Sequence, residues 1–228
     1  PSPEEGVKMK NSVAVPVLMY HGVAPERPGW IWNHLTTPIG VFDAQMRALR
    51  DRGWNTITLA QLYAHMKEDA PLPEKPVVLT FDDGYLDNWV YVYPALKRYG
   101  HRAVVWMTTD FIDPAREPRP NEDDLRAGRV SDGELKYDGF LSFAEMRAME
   151  AGGHVEIQSH TCTHTWFPCG PAIVDYHRPA GVGGYSPQPW LSWNAFPEKK
   201  HEYMSRNFES DVPYGFPIYE NRRALSGR

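Results

Sequence analysis

The sequence predicts an α/β fold assembled from parallel βαβ units. Short apolar runs of strand length alternate with segments whose apolar residues recur at helical spacing. The runs are apolar at successive positions, as strands covered on both faces of a parallel sheet must be, and do not alternate with polar residues. Capping boxes and helix-ending glycines punctuate the helical segments. Five strands and four helices follow in this way, the pattern of units that wrap into a barrel, although five strands do not close one.

Val13 to Tyr20 reads as a first buried strand that delivers His21 to its C-terminal end. Pro25 to Pro38 is a loop rich in turn formers and carries Trp30, Trp32 and His34. Phe42, Met46 and Leu49 then recur at helical spacing, with Gly53 where a helix-ending glycine belongs. Asn55 to Leu59 is a short strand, and Thr58-Leu59-Ala60-Gln61 is a capping box that opens a helix running to Glu68. The apolar run Pro76-Val77-Val78-Leu79 leads into Thr80-Phe81-Asp82-Asp83-Gly84. Asp87 is placed to cap a helix through Tyr99, closed by Gly100. Arg102 to Thr109 is another strand, and Asp113 to Asp138 is a loop of mixed charge, read as a solvated excursion. Ser142-Phe143-Ala144-Glu145 caps a helix that ends near Gly152-Gly153, and His154-Val155-Glu156-Ile157 is the last strand before Ser159-His160-Thr161-Cys162-Thr163-His164. Residues 165–228 carry eight prolines and little periodicity. The expected organisation is an N-terminal extension over 1–12 and a β/α domain over 13–165. Residues 166–228 then form a proline- and aromatic-rich insertion, or the start of the rest of the barrel.

Composition narrows the function classes. A hydrophobic content of 42% over 228 residues supports a real core, and one domain is the default. The net charge of −5 is spread out, so no basic stripe points to nucleic acid. No apolar run approaches membrane-spanning length, and Pro1-Ser2-Pro3-Glu4-Glu5-Gly6 lacks the regions of a signal peptide. Cys162 and Cys169 are spaced so that they either bridge or stay free. Eight Trp, twelve Tyr and nine Phe suit a large core, and the several that fall in loops would also suit stacking on sugar faces.

The chemistry concentrates in two stretches. Asp82 and Asp83 sit where a buried strand runs out into a loop, on the face that carries active sites in β/α proteins. His160 and His164, four residues apart after another strand, can reach one point. Adjacent aspartates alone are ordinary turn formers, and such a histidine pair alone is ordinarily structural. Together they form a carboxylate–imidazole–imidazole set for a borderline divalent metal, with positions left open. Residue chemistry does not separate the roles of the two aspartates. Histidine is the residue type suited to a general acid near neutral pH, and His21 ends the first strand; His34, His101, His154, His177 and His201 have no such supporting pattern. Cys162 is expected to pack away from the metal.

These stretches resemble the first two motifs of the NodB-homology polysaccharide deacetylases (carbohydrate esterase family 4). Val15-Pro16-Val17-Leu18-Met19-Tyr20-His21-Gly22-Val23 is similar to the opening motif of the poly-N-acetylglucosamine deacetylase subgroup, and the resemblance covers roughly residues 13–165. It implies a distorted (β/α) barrel of the polysaccharide deacetylase type, incomplete in this chain. It also implies a hydrolase that removes N-acetyl groups from N-acetylhexosamine residues of a polysaccharide, with metal-bound water as nucleophile. By resemblance Asp82 is the base, His21 the acid, and Asp83, His160 and His164 the ligands of one divalent ion. Zn2+ is the first choice, with Co2+, Ni2+ or Fe2+ also suited to N/O ligands. Trp30 and Trp32 are the weaker candidates for substrate contact. A monomer acting at the cell envelope, with no nucleic-acid partner, completes the expectation. The family's arginine–proline–tyrosine motif has no clean match; His177-Arg178-Pro179 and Pro213-Tyr214-Gly215 each carry part of it. Two other classes fit parts of the pattern: a non-haem iron oxygenase with a two-histidine, one-carboxylate site, and an inactive glycan-binding module. The second aspartate, which an oxygenase would not use, favours the hydrolase.

Overall fold

Apolar runs become strands here where they can bond to a neighbour on the same sheet. The chain, described as a computed structural model over residues 13–164, 166–179, 190–204 and 209–223, begins with β1 (Val17–Tyr20), β2 (Gly22–Ala24) and β3 (Thr36–Pro38). Then follow α1 (Ile39–Asp51), β4 (Asn55–Thr56), α2 (Leu59–Glu68) and β5 (Pro76–Phe81). A π-helical turn over Asn88–Val92 runs into α3 (Tyr93–Tyr99), followed by β6 (Ala103–Met107), α4 (Glu122–Arg126), α5 (Phe143–Ala151) and β7 (Val155–Ser159). The last elements are β8 (Trp166–Tyr176), α6 (Trp190–Ala195), a 3-10 helix over Pro197–Glu202, and β9 (Pro217–Arg223).

β1, β4, β5, β6 and β7 form one parallel sheet, so the α/β expectation holds, and among the described residues the sheet stays open. β5 is its centre: it pairs with β4 at Pro76–Val77, with β1 along Val78–Phe81, and with β6 at Thr80–Phe81. Every residue of β5 is buried, as its apolar sequence requires. Phe81 stacks on Tyr20 and meets Phe42 of α1 edge-on, which ties the first helix to the middle of the sheet. The capping boxes at Thr58–Gln61 and Ser142–Glu145 form with both bonds in place, and Gly100 ends α3 in the left-handed conformation.

Several expectations are corrected. β1 is half-exposed, with Met19 64% and Val17 55% open, because β1 ends the sheet order and, among the described strands, pairs only with β5. Asp87 does not cap a helix. Its backbone is already helical, and its buried carboxylate takes the Val23 N–H and the Asn88 amide instead. The 113–138 segment is largely exposed, as expected, but it is not a free excursion. It contains α4, and Arg119 within it reaches the fully buried Glu145 with Nε at 2.6 Å and a terminal nitrogen at 2.7 Å. Arg119 also donates to Phe140 O at 2.7 Å and to Asp113 at 3.1 Å. Within 165–228, expected to be largely irregular, β8 and β9 pair antiparallel with two register shifts. The N-terminal extension over 1–12 lies outside the described residues.

Candidate metal centre

β5 carries Asp82 and Asp83 to the end of the sheet, and the Asp82 N–H still donates to Tyr20 O at 2.9 Å. Immediately beyond, Asp83 (φ 72°) and Gly84 (φ 75°) are both left-handed, so the chain turns sharply. Gly84 has no alternative, since a Cβ there would overlap Met107 Sδ. The turn leaves Asp82 partly open and Asp83 only 5% exposed.

β7 brings the second stretch alongside: the His160 N–H donates to Met107 O at 2.8 Å. Thr161 (φ 71°) and His164 (φ 67°) are again left-handed, and for a β-branched residue that is a genuine outlier. Each such residue costs roughly 1–3 kcal/mol and persists only where its surroundings over-determine it. Here the loop is pinned by Thr109 N–H to Thr161 O (3.2 Å) and Asp110 N–H to Cys162 O (3.0 Å). The Cys162 thiol donates to Asp110 Oδ1 (3.0 Å), and the buried Lys200 donates to Asp110 Oδ2 (2.6 Å). Cys162 is therefore exposed and bonded at the rim, not packed as expected, and both it and Cys169 are free thiols.

The two stretches converge. His164 Nε2 lies 2.9 Å and His160 Nε2 3.5 Å from the same oxygen, Asp83 Oδ1, and one ligand atom from each of the three residues falls within 4.8 Å of the others. Asp83 Oδ1 is buried, yet no donor reaches it with hydrogen-bond geometry. A buried carboxylate oxygen left without a donor, facing two imidazole nitrogens, is what a cation would satisfy. Asp83, His160 and His164 therefore fit a borderline divalent ion by donor type and by convergence. The other oxygen, Oδ2, accepts the Tyr85 hydroxyl at 2.7 Å.

The environments of the two carboxyls differ. Burial raises the Asp82 carboxyl above its ordinary range, outweighing the pull of His160 and His21. Burial acts on Asp83 in the same direction, but the His164 ring and the Tyr85 hydroxyl outweigh it and hold that group below its ordinary value. His21 is near enough to pull on both carboxyls, and its backbone oxygen is held by the Asn88 amide at 3.0 Å.

The 25–38 segment, expected to be a loop, folds in part: Trp30 precedes a 3-10 helix over Ile31–Leu35 that carries Trp32, and β3 follows directly. Trp30 is covered by the Arg27 guanidinium, 3.6 Å above its ring. Trp32 meets Tyr203 edge-on (5.7 Å), and Tyr203 meets Trp193 (4.9 Å), which meets Phe111 (5.1 Å), giving a row of aromatic rings. Sequence reasoning missed Tyr85, although it directly follows the Asp-Asp-Gly turn. It also missed Tyr203 and the Lys200–Asp110 pair, for which no local signal existed. The two partial matches to the arginine motif meet in space: the His177 ring lies 5.2 Å from Tyr214, and Gly215 N–H donates to His177 O. Arg178 pairs with Asp175 at 3.0 Å.

The sequence profile of the polysaccharide deacetylase family matches residues 69–205, more than half of the chain, and spans both stretches. The chain belongs to the polysaccharide deacetylase family. A Bacillus subtilis (strain 168) relative of this deacetylase-family chain, YxkH, is 37% identical over 101 residues, 44% of this chain and 34% of its own length. The Escherichia coli (strain K12) poly-beta-1,6-N-acetyl-D-glucosamine N-deacetylase is 31% identical over 118 residues, 51% of this chain and 16% of its own. The match thus spans about a third or less of these curated relatives. Among solved structures, the Streptococcus pyogenes deacetylase PplD shares the fold at a TM-score of 0.50 and 24% identity, covering 67% of this chain and 58% of that one. The polysaccharide deacetylase fold and the open parallel sheet agree with the expected incomplete barrel.

Proposed function

We propose that this chain hydrolyses N-acetyl groups from N-acetylhexosamine residues of a polysaccharide, using one divalent ion, Zn2+ foremost, held by Asp83, His160 and His164. One observation carries the reading: a buried Asp83 Oδ1, with no well-aligned hydrogen-bond donor, faces two histidine nitrogens directly beside a second carboxylate. When bound, such an ion lowers the pKa of water and polarises an acyl oxygen. Asp82, less buried than Asp83 and with its carboxyl raised by burial, takes the proton from the attacking water. The amine leaves only when protonated, and His21, whose electrostatic influence reaches both carboxyls, supplies that proton. Trp32, edge-on to Tyr203 and stacked with His34, is the aromatic side chain that meets a sugar ring in this reading.

The substrate class draws support from the name of the E. coli relative, a poly-beta-1,6-N-acetyl-D-glucosamine N-deacetylase. An oxygenase built on the same triad finds no support in membership of a deacetylase family, and gives Asp82 no task. The test is acetate release from β-1,6- and β-1,4-linked N-acetylglucosamine oligomers by the Zn2+-loaded chain. Release that disappears in Asp83→Ala is expected. Binding of metal and oligomer with no acetate released would leave only a glycan-binding module.

A further inference from the structure

Asp83 turns only one of its two oxygens toward the histidines. Oδ1 faces His164 and His160, whereas Oδ2 is engaged by the Tyr85 hydroxyl at 2.7 Å. A carboxylate on a flexible side chain can present either oxygen, or both, to a cation. Something must decide between these, and Tyr85 is built to do so. Its ring is 8% exposed and lies against Phe140, with centroids 5.3 Å apart. Its backbone bridges antiparallel to Phe140, flanked by Leu86 N–H to Gly139 O and Leu141 N–H to Gly84 O, each 2.9 Å. The Gly139–Leu141 segment is itself held by Arg119, which donates to Phe140 O and clamps Glu145 at the start of α5. The ring is thereby held in place, and its hydroxyl meets Oδ2, not the oxygen that faces the histidines.

We infer that Tyr85 is a positioning residue that holds Asp83 to single-oxygen ligation through Oδ1, so that the carboxylate occupies one coordination position and leaves the others open. The inference rests on the reading of Asp83, His160 and His164 as a metal site. Hydrogen-bond partners of metal ligands fix ligand orientation, and their loss typically weakens metal binding by about 10–100-fold. Tyr85→Phe removes only the hydroxyl and keeps the ring against Phe140.

The test measures Zn2+ affinity of the full chain by competition with a chelating dye, in the wild type and Tyr85→Phe. Circular dichroism of the metal-free proteins checks that both are folded. The visible spectrum of the Co2+-loaded forms reports coordination, because band intensity falls as the coordination number rises. Affinity lower by about 10–100-fold, with weaker Co2+ bands as the released second oxygen joins the shell, is the expected result. Unchanged affinity overturns the inference. So does weaker binding with an unchanged Co2+ spectrum, which would make Tyr85 a merely structural support. A wild-type chain that binds no Zn2+ would instead sink the metal reading, and this inference with it.

Discussion

Replacing Arg119 with methionine should unfold this protein at a markedly lower temperature, although Arg119 lies in a stretch that reads as surface loop. Its partner Glu145 has a fully buried side chain, receives two nitrogens of the guanidinium, and takes the Ser142 N–H at 2.7 Å. Without Arg119 that carboxylate stays buried with only backbone donors. Breaking a buried, hydrogen-bonded ion pair from one side costs about 3–5 kcal/mol. At roughly 2–4 °C per kcal/mol for a chain of this size, the melting midpoint should fall by about 6–20 °C.

Thermal unfolding of the metal-free protein by circular dichroism is the assay, since bound metal would add its own stabilisation. A second readout is pH. Burial alone would raise the Glu145 carboxyl, but Arg119 and the Ser142 N–H outweigh it and hold the group below its ordinary value of 4.5. A lowered folded value contributes stability that is present above the unfolded value and lost as pH falls through the folded one. In Arg119→Met burial dominates, the carboxyl protonates more readily, and the gap from wild type should narrow toward about pH 4. Arg119→Met/Glu145→Leu should lose less than the two single losses added together, because no charge is left stranded. A fall of less than about 1 kcal/mol, or fully additive losses, would refute the reasoning.

Other outcomes follow from the proposed metal centre. Asp82→Asn should retain Zn2+ and lose about 10²–10⁴-fold in acetate release, whereas His160→Ala and His164→Ala should lose the metal itself; metal analysis beside an acetate assay separates the two, and identical behaviour would end the division of roles. His21→Ala should slow amide hydrolysis far more than that of an activated acetyl ester, whose leaving group needs no proton; equal losses would remove His21 as the acid. Gly84→Ala should destabilise by more than about 1 kcal/mol, since it adds both left-handed strain and overlap with Met107; a melting point within about 1 °C of wild type would contradict the turn geometry. Trp32→Ala should weaken oligosaccharide binding with metal content unchanged, read by calorimetry; an undiminished affinity would remove Trp32 from the substrate face.

The proposed reacting groups were legible because their signals are local. β5 is apolar at five of its six positions, so the strand could be placed to within two residues of its end, the expected run stopping at Leu79 and the strand at Phe81. A histidine pair four apart after a strand announces itself in one line of sequence. What holds those groups was not legible, because desolvation is a long-range property. Arg119 and Glu145 are 26 residues apart, and in a run of mixed charge nothing marks which arginine will be taken out of water. Glu145 was read only as the far half of a capping box; that it also receives a guanidinium depends on where the 113–138 segment folds back. Asp87 shows the converse error: an aspartate before a helix suggests a cap, but a wide helical turn had already enclosed it, and its carboxylate went to Val23 and Asn88. The β8–β9 pair escaped because its register shifts, at Pro168/Ile173 and Ile173/Asp175, break the two-residue alternation that identifies strands. The two aspartates, chemically identical and adjacent, are told apart by the left-handed turn at Asp83, which buries one beside His164 and Tyr85 and leaves the other partly open. Side-chain type thus marks where chemistry can happen, and the burial that separates one carboxylate from its neighbour is set by backbone turns and by partners far along the chain.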